Sequence, residues 1–247
     1  MRGLITAIQT LTILPIPFRC DGKFAASLPF FPVVGLFVGG IAALVGSSVT
    51  AMGWGAAAGV MALGISVLVT RGLHMDGLAD VVDALGGGRD RERRLAIMKD
   101  PHIGSFGVLA LVVVCLVKAV ALQRLVAWNA IPWIGVAFIN ARYLQVQLAC
   151  SLPYARAEGG MARDFVGDAR PHHMIIAGGM ALALSMVAGG VPGLMLFLAI
   201  VLVGCLLRSW MKRTFGGVTG DLLGFANEVA EVFQLVVMGL FAVANSL

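Results

Sequence analysis

The chain alternates between long apolar stretches and short polar connections. Residues 24–70 contain no Asp, Glu, Lys or Arg, and neither do residues 171–207. A transmembrane helix needs about 20 mainly apolar residues, so each of these two stretches has room for two spans. Glycine and proline residues divide the apolar parts of the chain into about seven predicted spans. These spans are residues 28–50, 55–73, 104–125, 130–151, 172–189, 192–209 and 225–244.

Residues 4–17 form a shorter apolar segment that ends in two prolines, Pro15 and Pro17. The segment is too short to cross a bilayer comfortably, and we predict an interfacial or re-entrant helix there. A cleaved signal peptide fits this segment less well, because no small-x-small cleavage site follows the apolar residues.

The composition also indicates a membrane protein. The chain is 59% hydrophobic and 13% charged, whereas an ordinary soluble domain has about 25% charged residues. So few charges cannot cover the surface of a soluble protein of 247 residues. No internal repeat divides the chain. We therefore predict an all-α fold, a polytopic integral membrane helical bundle of about seven transmembrane helices with short interfacial helices, in a single domain of residues 1–247.

The basic residues predict the orientation. With the amino terminus in the cytoplasm, the segments that face the cytoplasm hold 15 of the 18 Lys and Arg residues, as the positive-inside rule requires. All 13 Asp and Glu residues lie on that side or within two helical turns of it. Trp54, Trp128 and Trp133 lie near the opposite boundary, as interfacial aromatic residues do. The predicted location is the cytoplasmic (inner) membrane, multi-pass, with the active site facing the cytoplasm.

Two compositional features exclude other classes of partner and site. The basic residues of the cytoplasmic segments account for the net charge of +5, because the positive-inside rule requires them there. Nucleic acid is therefore not a predicted partner. The four cysteines, Cys20, Cys115, Cys150 and Cys205, show no CxxC spacing. They are predicted to be packing residues, and neither a disulfide framework nor a zinc site is indicated.

An acidic triplet marks the cytoplasmic end of the second predicted span. Asp76, Asp80 and Asp83 are separated by four and three residues, so a helix presents them on one face. Stacked carboxylates repel one another unless a cation lies between them. The triplet therefore predicts a site for Mg²⁺, with Mn²⁺ as a substitute, and sites of this kind usually act on phosphate.

A second acidic stripe follows near the end of the chain. Asp221, Glu228 and Glu231 are separated by seven and three residues and share one helical face, so the two acidic faces could meet at one site. Carboxylates inside an apolar segment otherwise need cationic partners. The candidate partners are Arg208, Lys212 and Arg213.

Basic residues and glycines surround the triplet. Arg91, Arg93 and Arg94 lie on a short predicted helix, where they either hold the loop against anionic lipid or bind substrate phosphates. In the loop after residue 153, Arg156 either belongs to a solvated segment or contacts a diphosphate together with a second arginine.

Lys99 and Asp100 are better placed for chemistry, because they precede Gly104 and Gly107. Backbone amides at that helix start could approach an anion, although glycines within a span can also serve helix packing. His74, one helical step from the acidic face, is either a proton acceptor or an ordinary interfacial residue.

Several runs together resemble the cobalamin-5′-phosphate synthase family, also called adenosylcobinamide-GDP ribazoletransferase. The most specific are residues 74–83 (HMDGLADVVD), 86–100 (GGGRDRERRLAIMKD) and 104–107 (GSFG). Further hallmarks, in the family's order, are residues 14–17 (LPIP), 31–35 (FPVVG), 154–159 (YARAEG) and 216–224 (GGVTGDLLG). The resemblance covers nearly the whole chain. Its two departures are Met75, where leucine is expected, and Pro101, where serine is common.

The resemblance implies a transferase of the nucleotide-loop assembly step of cobalamin biosynthesis. Such an enzyme joins adenosylcobinamide-GDP to α-ribazole or its 5′-phosphate, releases GMP, and requires Mg²⁺. Carboxylate-bound metal would neutralise the charge that builds on the phosphate, and Lys or Arg would assist the leaving group. The expected partners are these substrates and the lipid bilayer. A second copy of the chain is a further candidate, because small glycine-rich spans can pack together.

These considerations give hypotheses for individual residues. The predicted metal ligands are Asp76, Asp80, Asp83 and Asp221. The predicted catalytic residues are His74 or Asp100, as acceptor of the hydroxyl proton, and Lys99, in contact with phosphate. The predicted substrate-binding residues are Arg71, Arg94, Gly104, Arg156, Arg213, Glu228 and Glu231.

Two other functions are alternatives to this one. CDP-alcohol phosphotransferases also place aspartates at a membrane edge, in the motif Asp-x-x-Asp-Gly-x-x-Ala-Arg. Here Asp76 and Gly77 are present, but Asp80 and Val81, or their neighbours, occupy the positions where that motif has Ala and Arg. A small cation transporter would carry its carboxylates at mid-membrane in broken helices, whereas these lie at one edge.

Overall fold

The computed structural model describes residues 2–17, 24–156, 159–160 and 162–244. Within these residues the regular structure is helical, apart from an isolated parallel bridge between Tyr154 and Val218. The prediction of an all-α membrane bundle is confirmed. The α-helices are α1 (Arg2–Leu11), α2 (Phe31–Ala51), α3 (Ala58–Val69), α4 (Leu73–Gly87), α5 (Arg91–Ile97), α6 (Ser105–Ala127), α7 (Ile131–Ser151), α8 (Arg163–Gly167), α9 (Pro171–Phe215) and α10 (Gly220–Ala244).

Helix α7 lies at the centre of the bundle and packs against α2, α9 and α10. Nearly every residue between Ile134 and Ala149 is buried. Because protein surrounds the helix on all sides, it can carry polar side chains that lipid would not tolerate. Asn140, Arg142 and Gln145 are buried examples.

By length and composition, the described residues contain four helices that could cross a membrane, or five if a bent pair counts as one span. The four are Phe24–Ala51, Ser105–Ala127, Pro171–Phe215 and Gly220–Phe241, and the pair is Gly55–Val69 with Leu73–Gly87, bent by 91°. This is fewer than the seven spans predicted. One reason is that α7, predicted as residues 130–151, is too polar to qualify on composition. The other is that two predicted spans fall within the single element α9.

The first arm of α9 runs antiparallel to α7. Ser185 donates a hydrogen bond to Asn140 at 2.9 Å. Further along the chain, Gly189 packs against the ring of Trp133, which lies nearer the start of α7. The contacts therefore move backwards along α7 as α9 advances.

The second arm of α9 runs parallel to α7. Gln147 donates to the carbonyl oxygen of Val201, and Arg208 donates to that of Ser151. The chain reverses at Gly190, whose φ of 56° and ψ of −140° interrupt the helix and favour glycine. Helix α9 therefore consists of two antiparallel arms. This reversal separates the two spans that the sequence predicted for residues 172–189 and 192–209.

One end of the bundle collects the polar segments. Helix α4 turns away from α3 by 91° and packs across the beginnings of α6 and α10. The short amphipathic helix α1 lies at the same end, where an interfacial or re-entrant helix was predicted. We call this region the polar end and define it by residues 2–17, 71–104, 152–156, 159–160, 162–170 and 215–224. Cys20 and residues 157–158 of the YARAEG run lie outside the described residues, and Cys115, Cys150 and Cys205 are free thiols.

Candidate functional site

A cavity of about 620 Å³ opens at the polar end, a size typical of small-molecule sites. Its walls come from α1, the 3₁₀ helix Phe24–Phe30, the loop after α3, and helices α4, α7, α8 and α10. The charged residues that line it are Arg71, Asp76, Arg156, Asp164 and Asp221. The cavity therefore joins an apolar interior to a charged rim.

Close packing of α4 on α10 brings carboxylates from separate segments together. A Cβ atom at Gly77 would lie 2.5 Å from the carbonyl oxygen of Asp221, so only glycine allows this approach. The charges that act most strongly on the Asp80 carboxylate are those of Asp221 and Asp76. We call Asp76, Asp80 and Asp221 the acidic cluster. It contains three of the four predicted metal ligands.

The acidic cluster fits an ion that arrives with its substrate better than a closed metal cage. Among the residues that the structure describes, no three His, Cys, Asp or Glu side chains are placed to hold a metal ion. Mg²⁺ usually keeps several waters and is bound by one or two carboxylates together with substrate phosphates. An oxygen-only set of donors beside a cavity suits Mg²⁺ or Mn²⁺.

Asp83, the fourth predicted metal ligand, caps helix α6 instead. Its two carboxylate oxygens accept hydrogen bonds from the backbone amides of Gly104 and Gly107 at 2.7 and 2.8 Å. These amides belong to the first turn of α6 and have no acceptor within the helix. In this structure the Asp83 carboxylate and the Gly104 amide, which were predicted to bind a metal ion and substrate, are hydrogen-bonded to each other. Asp83 faces α6 and Asp80 faces α10, although both lie on one side of α4.

Arg156 joins the rim of the cavity to the acidic cluster. Its Nη2 atom donates to Asp221 at 2.6 Å and to the carbonyl oxygen of Met98 at 3.2 Å. Its Nε atom is buried without a hydrogen-bond partner among the described residues. Arg71, also a predicted substrate contact, lines the same cavity. Both arginines are therefore placed where a phosphate at the rim would meet them.

Of the three predicted catalytic residues, only His74 lines the cavity. It is 3% exposed, and no described residue bonds to its Nε2 atom. Asp100 is exposed and accepts hydrogen bonds from the His102 amide at 3.0 Å and from the His102 ring at 2.6 Å. The His102 amide, followed by its ring, holds the pKa of Asp100 below its usual value. Lys99 is exposed beside it.

Two predicted phosphate contacts lie away from the cavity. Arg94 packs against Gly88 in the connection between α4 and α5, and Arg213 is exposed in the last turn of α9. Arg91 instead ties the polar end together. It donates to the carbonyl oxygens of Phe215 and Ala155 at 2.8 and 3.1 Å.

Glu228 and Glu231, predicted to bind substrate, form a buried ion network. Lys118 of α6 donates to Glu228 at 2.8 Å and to Glu231 at 2.5 Å, and Arg142 of α7 also donates to Glu231. All four side chains are at least 96% buried, and none of them lines the cavity described above. The candidate partners named from the sequence, Arg208, Lys212 and Arg213, are therefore wrong.

The family model of cobalamin-5-phosphate synthase matches residues 3–239 of this chain. A protein of Chlorobium phaeobacteroides (strain BS1) named adenosylcobinamide-GDP ribazoletransferase is 44% identical over 239 residues, 96% of each chain. Proteins of the same name from Chlorobaculum parvum and Chlorobaculum tepidum are each 43% identical. The alignments cover 98% and 94% of this chain and 96% and 92% of the relatives. The chain belongs to the cobalamin-5-phosphate synthase family. No solved structure matches it significantly.

Membership of the cobalamin-5-phosphate synthase family supports the resemblance seen in the motifs. It gives no support to a CDP-alcohol phosphotransferase or a cation transporter. The matched region contains every predicted site residue, but the match itself assigns none of them a role.

Sequence reasoning missed three buried polar residues in this family member: Lys118, Arg142 and Gln145. Each lies within a predicted apolar span. Ionisable residues at such positions are costly and usually have a specific partner. That signal would have pointed to the ion network, though not to which side chains pair.

Proposed function

We propose that this protein is an Mg²⁺-dependent adenosylcobinamide-GDP ribazoletransferase. It joins adenosylcobinamide-GDP to α-ribazole or its 5′-phosphate, releases GMP, and yields adenosylcobalamin or its 5′-phosphate. The names of the relatives support the reaction. The observation that carries the site is the acidic cluster beside a cavity large enough for a nucleoside.

The reaction is a phosphoryl-type displacement. The acceptor hydroxyl oxygen forms a bond to the phosphorus that carries cobinamide, and the bond from that phosphorus to the bridging oxygen breaks. The electron pair leaves with GMP, and the hydroxyl proton passes to a base. Negative charge grows on the phosphate oxygens, so catalysis depends on positioning and charge compensation.

One or two carboxylates of the acidic cluster, Asp76, Asp80 and Asp221, would hold Mg²⁺ together with the substrate phosphates. When bound, this ion would neutralise the developing charge and align the reacting oxygens. Arg156 and Arg71 would bind the diphosphate at the rim. A phosphate that engages Arg156 competes with Asp221 for the same guanidinium, because Nη2 donates to that carboxylate at 2.6 Å. Substrate binding would thus free Asp221 to act as a ligand.

His74 is the proposed acceptor of the hydroxyl proton. Its buried Nε2 atom has no hydrogen-bond partner within the described chain, and His74 is one of the residues that line the cavity, two positions before Asp76. Asp100 is less suited, since its carboxylate is already hydrogen-bonded to His102 and lies in solvent. An imidazole near its neutral form is well matched to accept a proton at physiological pH.

We place the polar end at the cytoplasmic face of the inner membrane. The distribution of basic residues supports this orientation, and nucleotide substrates are available there. The exposed apolar faces of α6 and α9 are accessible to lipid or to a second copy of the chain.

Release of GMP by the purified protein tests the proposal. Wild-type protein with adenosylcobinamide-GDP, α-ribazole and Mg²⁺ should release GMP, and EDTA should stop the reaction. Asp80→Asn should lower GMP release by about 10² or more, because a charge-compensating ligand is lost. Asp168→Asn, at an exposed aspartate outside the cavity, is the matched control and should retain activity.

Two results would count against the proposal. Near-normal GMP release by Asp80→Asn in saturating Mg²⁺ would reject the acidic cluster as the metal site. Wild-type protein that releases no GMP with either acceptor would reject the reaction itself.

A further inference from the structure

We propose that the inner part of the cavity holds the acceptor nucleoside, and that Gln145 is a specificity-determining contact for its flat heteroaromatic base. This inference rests on the proposed function, since it takes the acceptor to be a benzimidazole nucleoside. It adds a binding role for a residue of the central helix that no motif contains.

Gln145 lacks the partners that its polar neighbours on α7 possess. Asn140 bonds to Gln234 and Gln147 bonds to Val201. The Gln145 side chain makes no hydrogen bond to another described residue, although it is only 3% exposed. Its amide atoms are not among the buried polar atoms that lack a partner in the described residues. Because this amide lines the cavity, a ligand there can supply the missing partner.

The position of Gln145 places this contact inside the bundle. It lies six residues before Ser151, the last residue of α7. It is therefore about 9 Å along the helix axis from the end of α7 that reaches the polar end. Asp221 and Asp76, by contrast, lie in the first turns of their helices at the polar end. A ligand that reaches both regions has a polar amide contact at one end and a charged environment at the other.

An aromatic wall lies in the same cavity. Phe24, Phe31 and Phe165 all line it, and Phe165 meets the other two rings edge-on, with centroids 5.3 and 6.2 Å apart. Flat apolar ring systems pack well against such walls, by stacking or edge-to-face contact. The wall and the Gln145 amide together suit a planar base with few polar groups.

Guanine is a poorer occupant than benzimidazole. Two hydroxyl groups that line the cavity already donate within α1, Thr6 to the carbonyl oxygen of Arg2 at 3.1 Å and Thr10 to that of Thr6 at 2.7 Å. Guanine carries more polar edge atoms than benzimidazole, and each of them would need a hydrogen-bond partner beside the aromatic wall. A corrinoid exceeds the volume of about 620 Å³. The nucleoside acceptor therefore occupies the inner cavity, and the diphosphate donor approaches the rim.

Binding of α-ribazole to purified protein, without Mg²⁺ or the corrinoid substrate, tests this inference directly. Gln145→Leu keeps the side chain's size but removes its polar groups, and should weaken α-ribazole binding about tenfold. In turnover, KM for α-ribazole should rise while KM for adenosylcobinamide-GDP stays the same. Gln147→Leu is the matched control. Its amide faces Val201 of α9, so affinity for α-ribazole should not change.

The outcomes separate this inference from the proposed function. Wild-type affinity of folded Gln145→Leu for α-ribazole would overturn the inference, even if wild-type protein releases GMP. Weakened binding of GMP with unchanged binding of α-ribazole would assign the inner cavity to guanine and overturn it as well. Wild-type protein that binds α-ribazole through Gln145 but never releases GMP would support the inference and reject the reaction. If Gln145→Leu does not fold, Gln145→Asn, one methylene shorter, provides the same comparison.

Discussion

The Asp83→Asn substitution distinguishes a helix cap from a metal ligand. The carboxylate of Asp83 accepts the amides of Gly104 and Gly107 with separate oxygens. Asparagine retains one acceptor oxygen, but it presents an amino group to the second backbone donor. One donor in the first turn of α6 therefore loses its partner, and the negative charge near the positive end of the helix dipole is lost.

The magnitude follows from these two losses. A hydrogen bond to a charged acceptor contributes about 1.5–3 kcal/mol, and a partly buried donor without a partner costs about 1–3 kcal/mol. Asp83 is half-buried, so we expect a total loss of about 2 kcal/mol. For a protein of this length, each kcal/mol lowers Tm by about 2–4 °C. The expected decrease in Tm is therefore about 4–8 °C.

Thermal unfolding in detergent, followed together with GMP release, provides the measurement. Asp83→Asn should lower Tm, and the protein that remains folded should keep its apparent affinity for Mg²⁺. Asp76→Asn is the comparison, because Asp76 is exposed and lines the cavity; it should keep Tm and lose activity. An unchanged Tm for Asp83→Asn, with a large loss of Mg²⁺ affinity, would refute the capping role.

Two further substitutions test the packing around the site. Lys118→Met leaves Glu228 and Glu231 buried without their shared cation and should destabilise the protein by about 3–5 kcal/mol, measured as a lower Tm. Adding Glu228→Gln to that variant should recover part of the lost stability. No recovery would contradict the pairing of Lys118 with Glu228. Gly77→Val places a side chain against the carbonyl oxygen of Asp221 and should abolish GMP release while membrane insertion persists. Normal activity of that variant would show that α4 and α10 need not touch.

Sequence patterns predicted the helical class and the gathering of polar segments at one end of the bundle. The charge-free stretches and the excess of basic residues at one side predicted a membrane bundle with a polar end. The spacing of Asp76 and Asp80 predicted one acidic face, and the structure brings Asp221 to that face. These features depend on local periodicity and composition, which a single sequence contains.

Contacts between distant segments were not predictable in the same way. The same spacing also included Asp83, because periodicity shows which side of a helix a residue occupies but not which neighbour faces it. Whether an aspartate of α4 faces α6 or α10 is decided by tertiary packing. Likewise, Gln145 and Gln147 lie two residues apart on α7, yet one lines the cavity and the other bonds to α9.

Charge balance distinguishes the two sets of carboxylates in this protein. In the buried network, two glutamates meet Lys118 and Arg142, so the formal charge is zero and the network can lie deep in the bundle. In the acidic cluster, three aspartates meet Arg156 alone among the ion pairs of the described residues, which leaves a formal charge of −2. A divalent cation would neutralise that excess. The excess persists because the cluster lies at the polar end, where water can solvate it.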